Sequence, residues 1–242
     1  MISIILPTSL LSYCENPFYV CYAEVAARDK TYLAFFKERR LKGSSVVLDY
    51  SPRLPRARVD FEVLVDIHRK LNPTSLVLPG VDYSDKKTIE WAQAFVRKYG
   101  KLVQSHWIGL LEGLDLESLD RCRKALISLT DVLGLPCSLE KIARREEIIR
   151  DLGITEPTLY LEVLGDPVAE TPTGQSSLGI CTSYPVRLAV DFRTFREHKP
   201  TPPSLDFGVS KVALDLGLVR SNIEEYLEAV NARSEGKPLG FL

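Results

Sequence analysis

Ser75-Leu76-Val77-Leu78, followed by Pro79-Gly80-Val81-Asp82-Tyr83 and then by the amphipathic stretch Asp85 to Tyr99, is the segment on which the fold is read. Leu76, Val77 and Leu78 are apolar without alternation, so this strand is buried on both faces, as in a parallel sheet covered by helices. The Pro-Gly pair makes a turn, Asp85 offers a cap, and Gly100 closes the helix. Strand, turn and helix together form one βα unit. Val46-Val47-Leu48 repeats the same both-face pattern, and Val59 to Leu71 repeats the helix, with Phe61, Val63, Leu64, Ile67 and Leu71 set against Asp60, Glu62, Asp66, Arg69 and Lys70.

Extended along the chain, the pattern predicts seven strands: Ile2 to Leu6, Ser45 to Asp49, Ser75 to Leu78, Leu102 to Leu111, Val132 to Leu135, Thr158 to Val163 and Leu178 to Thr182. Further helices are expected over Asp115 to Leu129, Ser138 to Asp151 and, after the extended run His198-Lys199-Pro200-Thr201-Pro202-Pro203, over Val209 to Ala232. A doubly wound sheet would carry a glycine fingerprint after its first strand, and Leu6-Pro7-Thr8-Ser9-Leu10-Leu11 has none. The expected fold is α/β: a TIM (β/α)8-type barrel, abbreviated, with an added C-terminal helix. Residues 1–242 read as a single domain, with a C-terminal extension at about 198–242 and no internal repeat.

The 242 residues are 45% hydrophobic and 26% charged, with a formal net charge of -1. Disorder and membrane insertion are excluded on composition, and bulk charge attracts neither nucleic acid nor an anionic membrane. The apolar N-terminus lacks the cationic lead of a signal peptide, which points to a cytoplasmic protein. Three Gln, four Asn and one Met lean towards a thermophilic source. Cys14, Cys21, Cys122, Cys137 and Cys181 form neither a zinc spacing nor an even disulfide set, so no metal and no cofactor is expected.

In such a barrel, chemistry sits where strands end. The ends carry Asp49-Tyr50-Ser51, Gly80-Val81-Asp82-Tyr83, Leu111-Glu112-Gly113, Pro136-Cys137-Ser138, Leu164-Gly165-Asp166 and Cys181-Thr182-Ser183-Tyr184-Pro185-Val186-Arg187. Asp49, Asp82 and Glu112 could converge on a ligand that offers several N–H donors, and a purine-like nucleobase would suit them.

These strand ends resemble the tRNA-guanine transglycosylase superfamily (queuine and archaeosine tRNA-ribosyltransferases), especially its short zinc-less members associated with 7-deazapurine modification of nucleic acid. Val47-Leu48-Asp49-Tyr50-Ser51 matches a family strand ending in Asp and a small-residue turn. Leu78-Pro79-Gly80-Val81 with Thr88 resembles a Pro-Asp-Val turn followed by a helical Thr. Leu111-Glu112-Gly113 resembles Val-Gln-Gly, Leu164-Gly165 a strand ending in Leu-Gly or Met-Gly, and Cys181 to Arg187 the D-x-x-x-P-x-R segment of the nucleophilic aspartate. The matches are short and span most of the chain.

The resemblance implies exchange of a guanine or 7-deazaguanine base at C1′ of a ribose: one carboxylate attacks C1′ and a second takes part in proton transfer. By position, Asp49 matches the proton-transfer residue and Cys181 stands where the nucleophile is expected. Ser51, Glu112, Gly113, Gly165 and Arg187 fall on substrate-binding positions, and Asp82, two residues beyond the turn position, is placed to reach a guanine-like edge. Gly80 replaces the turn Asp, Glu112 replaces an amide, and the family's zinc cluster is absent. Three outcomes stay open. The chain has lost catalysis and serves as an accessory subunit binding nucleic acid or a partner; Asp49 or Asp82 serves a different nucleoside reaction; or the Cys181 thiol is a nucleophile towards the modified base itself. An unrelated barrel enzyme on a small phosphorylated metabolite is the further alternative, although Gly165-Asp166 and Gly174-Gln175 form no recognisable anion nest.

Each site residue also has a plainer reading. Cys181 is a small buried hydrophobe, Asp49 and Asp82 are turn acceptors, His106 is a packed core residue, and His68 and His198 are surface positions. Basic clusters at Lys37 to Lys42, Arg97 to Lys101, Arg121 to Lys124 and Arg144-Arg145 read first as solvated helix faces. Only if several shared one rim would they track the phosphates of tRNA or DNA. Homo- and hetero-oligomers both remain open, with no membrane partner.

Overall fold

The computed structural model describes residues 2–13, 15–50, 59–161, 177–182 and 215–234. Eight strands, β1 (Ile2–Ile4), β2 (Phe18–Tyr22), β3 (Ser45–Asp49), β4 (Ser75–Val77), β5 (His106–Leu110), β6 (Val132–Leu135), β7 (Thr158–Tyr160) and β8 (Ser177–Thr182), form one sheet. All seven ladders are parallel, in the order β1-β8-β7-β6-β5-β4-β3-β2. Helices α1 (Ala23–Arg28), α2 (Lys30–Leu41), α3 (Phe61–Leu71), α4 (Asp85–Tyr99), α5 (Leu116–Leu126) and α6 (Arg145–Asp151) lie between strands, and α7 (Leu216–Ser234) follows.

The sheet curls because both of its faces are apolar. Val46, Leu48, Leu76, Leu133 and Leu135 pack outward in one buried cluster with helix residues such as Phe36, Leu64, Phe95 and Leu119. Val47, Val77, Ile108, Leu159 and Cys181 meet Ile5, Phe18 and Val20 in a second cluster, on the inner side. One inner cluster drawing on strands from both edges of the sheet requires those edges to approach each other. The inner layer is tight: a Cβ on Gly134 would lie 2.8 Å from Leu161 Cδ1.

The two edges, β1 and β2, share no ladder. Asn16 lies between them in sequence and supplies what a ladder would. Its Oδ1 accepts from the Ile4 N–H at 3.0 Å, and its Nδ2 donates to the Ile4 carbonyl at 2.9 Å. The carboxamide thus stands in for a peptide unit at the open side of β1. The Asn16 N–H in turn donates to the Tyr19 hydroxyl at 3.2 Å, fixing the amide against β2.

Several expectations are corrected. β2 was missed: Phe18-Tyr19-Val20-Cys21-Tyr22 is buried throughout, and α1 begins at the next residue with no turn to mark the boundary. The helix expected over Ser138 to Asp151 is a short 3-10 turn, Cys137–Lys141, and then α6, because Ser138 turns its hydroxyl to another partner instead of capping. The α4 cap is Ser84, whose side chain accepts from the Lys87 N–H, while Asp85 pairs with Arg121 at 3.0 Å. The histidines exchange roles: His106 is exposed at the start of β5, and His68 is only 4% exposed on the α3 face that carries Leu64 and Leu71. His198 lies outside the described residues.

Two outcomes follow. Asn16→Ala strands both Ile4 groups and should cost about 2 kcal/mol in denaturant unfolding. Asn16→Asp should cost as much at pH 7, because an ionised carboxylate cannot donate to the Ile4 carbonyl. That deficit should narrow in acid, when the carboxyl regains a proton. His68 Nε2 lies 2.8 Å from Ser105 Oγ, which donates its own proton to the Pro73 carbonyl, so the imidazole donates through Nε2. Its buried Nδ1 has no hydrogen-bond partner, and burial holds the His68 pKa below the ordinary value near 6.5. A depressed histidine pKa means that the unfolded chain binds the extra proton more readily. This contribution to stability is therefore present above about pH 6.5 and lost as the pH falls below it. His68→Gln should flatten that part of the curve of unfolding midpoint against pH.

Candidate functional site

Strand parity brings the acids to the mouth. Asp49 continues the inner-facing side of β3 after Val47, and Glu112 continues that of β5 after Ile108 and Leu110. Asp49 is 4% exposed, is in register with Tyr22, and accepts the Tyr50 N–H on Oδ1 at 2.7 Å. Asp82 is half-buried in the loop between β4 and α4.

Glu112 is fully buried and anchors the best-defined polar constellation at this end of the sheet. The Ser138 hydroxyl, from the turn after β6, lies 3.1 and 3.0 Å from its two oxygens. The Tyr83 N–H, from the loop after β4, donates to Oε2 at 3.0 Å. Charge-assisted donors of this kind let a carboxylate stay in a dry setting. Tyr83 takes φ +60°, a left-handed backbone that a bulky residue rarely adopts, and in that conformation its amide meets Glu112. Lys141 sits 4.6 Å from the centre of the Tyr83 ring. Hydrogen bonding and proximity to Tyr83, followed by the nearness of Cys137 and Asp82, hold its pKa above the usual lysine value. Tyr83, Asp82, Glu112, Cys137, Ser138 and Lys141 therefore gather around the ends of β4, β5 and β6.

The turn after β4 is latched as well. Thr88 Oγ1 accepts the Val81 N–H at 2.9 Å and donates to the Val81 carbonyl at 3.1 Å. A Cβ on Gly80 would lie 2.7 Å from Leu110 Cδ2 and 3.1 Å from Thr88 Cγ2. Gly113 has a packing reason of its own, since a Cβ there would meet Ser118 Oγ at 2.6 Å and the Leu119 N at 2.9 Å. The start of α5, capped by Asp115, rests directly on it.

Cys181 is 1% exposed and belongs to the inner apolar cluster, in register with Ser3. Cys21 and Cys122 are also buried. Burial pushes both thiols up, Cys122 to about 12, with the Glu112 and Asp85 charges adding to the shift for Cys122. The half-exposed thiol among the described free cysteines is Cys137, in the strand-end run Pro136-Cys137-Ser138. Ser51, Gly165 and Arg187 lie outside the described residues. Unforeseen was the grouping of Ser138, Tyr83 and Lys141 with Glu112. A serine three residues after the end of β6 is the available signal, but as a helix cap it has a simpler reading.

Many residues of the basic clusters find partners. Lys42 pairs with Glu38, Lys98 with Glu62, Lys124 with Asp120, and Arg121 with Asp85 and Glu117. Arg40 donates to the Asn72 and Ser44 carbonyls, and Arg123 to Glu156 and the Leu152 carbonyl. These last carbonyls lie in segments that lead into strands, at the end of the sheet opposite the mouth. No group of three or more His, Cys, Asp or Glu that could hold a metal occurs among the described residues, and no helix among them is long and apolar enough to cross a membrane.

No protein-family model matches the chain, and no curated protein sequence matches it. Solved structures do. A ligand-free mutant form of tryptophan synthase from M. tuberculosis aligns with a TM-score of 0.52 at 12% identity, over 95% of this chain and 92% of that one. An open form of tryptophan synthase from M. tuberculosis with BRD0059 bound aligns at 0.50 and 12% identity, over 95% and 91%. At this identity the likeness shows the fold: α/β, with a curled parallel sheet of TIM-barrel type.

Removing the Ser138 hydroxyl takes one donor from a buried carboxylate. Ser138→Ala should lose about 2 kcal/mol of stability. In a double-mutant cycle with Glu112→Gln, the two changes should be strongly non-additive; additive losses would mean that the contact contributes little.

Proposed function

We propose that the curled sheet works as an abbreviated (β/α)8 barrel whose mouth binds a guanine or 7-deazaguanine type base, as the resemblance to the transglycosylases implies. The observation that carries this reading is the Glu112 carboxylate, buried at the mouth and held by Ser138 and the Tyr83 amide. With Asp49 and Asp82 it makes this end of the barrel rich in acceptors. Guanine presents N1–H and the N2 amino group side by side as donors, whereas adenine has an acceptor at N1, so such a mouth discriminates between them by charge and hydrogen-bond sense. The Thr88 latch on Val81 supports the reading too, because it couples the two residues through which that stretch resembles the family's turn and helical threonine.

In base exchange, Asp49 would serve proton transfer at the leaving base, and an attacking group would have to reach C1′. The Cys181 thiol, set among apolar side chains, is poorly disposed to attack. That observation favours the second reading, a catalytically inactive homologue that binds the base, a nucleic acid or a partner subunit.

Equilibrium dialysis with labelled guanine tests the first reading. Guanine should bind at least about tenfold more tightly than adenine, and Asp49→Asn or Glu112→Gln should weaken it by a similar factor. No purine binding by the folded protein would overturn it. Incorporation of labelled guanine into tRNA, DNA or guanosine separates enzyme from accessory subunit. Exchange that disappears in Cys181→Ala assigns the thiol, and binding without exchange in any substrate leaves the inactive homologue.

A further inference from the structure

Arg145 is 1% exposed, and its side chain is wholly buried. An apolar residue would fill this space without the desolvation cost of a guanidinium, so the charge calls for a reason. Its contacts supply one. Nε donates to the carbonyl of Leu135, the last residue of β6, at 3.2 Å. Nη1 pairs with Glu140 Oε1 at 3.0 Å, and the guanidinium lies 5.6 Å from the centre of the Tyr160 ring on β7. The planar fork thus ties three pieces together: the end of β6, the turn Cys137–Lys141 through Glu140, and β7. Ser138, the donor to Glu112, is on that turn, two residues before Glu140.

We propose that Arg145 is a positioning residue for the mouth. Through Glu140 it sets the turn Cys137–Lys141 so that Ser138 holds Glu112, and Glu112 in turn holds the Tyr83 amide and the loop that carries Asp82. As a role in ligand binding, this rests on the reading of the mouth as a base site. A role confined to stability would leave the Glu112 constellation unchanged in any variant that still folds.

The test uses the full chain with Glu140→Gln, Arg145→Lys and, as reference, Ser138→Ala, each checked for native circular dichroism. Glu140 is partly exposed and its amide is isosteric, so Glu140→Gln keeps the test usable if Arg145 variants fail to fold. Lysine retains charge but loses the fork. Hydrogen exchange at the Tyr83 amide, followed by NMR, should quicken about tenfold in all three. The Leu133 amide, which donates to the Pro157 carbonyl, should keep its protection. Guanine affinity should fall about tenfold alongside. Unchanged Tyr83 exchange in folded Glu140→Gln and Arg145→Lys overturns the proposal, as does quickened exchange with guanine affinity unaltered. If the wild-type chain binds no guanine, the base-site reading fails by itself. Tyr83 exchange then still decides whether Arg145 positions the constellation.

Discussion

A parallel sheet that is apolar on both faces cannot lie open in water, and the layout of this molecule follows from that constraint. Helices cover the outer face. The inner face is covered only by itself, so the sheet curls until β1 and β2 come together. At that seam there is no ladder, and the Asn16 carboxamide satisfies the Ile4 N–H and carbonyl that the missing ladder leaves. The layout of the strand ends depends on this curvature, because it brings the loops after β4, β5 and β6 together around Glu112.

Burial also sorts the possible chemistry. Thiols behind or inside the sheet are held protonated or kept from solvent, so their nucleophilicity is suppressed. The Glu112 carboxylate is retained at a desolvation cost offset by donors from other elements, the Tyr83 amide and the Ser138 hydroxyl. The buried carboxylate chemistry of the described residues therefore gathers at the ends of β3 to β6, while many of the helix cations are engaged in ion pairs or with the carbonyls of strand-entry segments.

Much of the fold could be read from short runs. Val46-Val47-Leu48 and Leu76-Val77-Leu78 announced strands buried on both faces, and Asp115 announced α5. Phe18 to Tyr22 escaped because it runs straight into α1, with no Gly or Pro between, and its tyrosines resemble a half-polar surface. His68 stands among the charged residues Asp66, Arg69 and Lys70 in sequence, but its spacing from Leu64 and Leu71 puts it on the buried face. Of the candidate site, Glu112 was legible because Asp115 already explained the cap and left the glutamate without a local role. Its donors were not legible: Tyr83 is 29 residues away and Ser138 is 26, and no local pattern encodes a contact at that range. Arg145 was hidden in a pair of basic residues that reads as surface.

The strand order has a temporal side. β1 leaves the ribosome before the other strands of this sheet, yet its ladder partner, β8, begins only at Ser177. Until β8 has been made, β1 has no ladder partner in this sheet, and an unpaired apolar strand is prone to aggregate. Asn16, twelve residues after Ile4, is available almost at once. The amide that closes the finished seam is thus also the earliest partner that the exposed edge of β1 can find, so a nascent chain can shield one side of that strand long before the other side has anything to pair with.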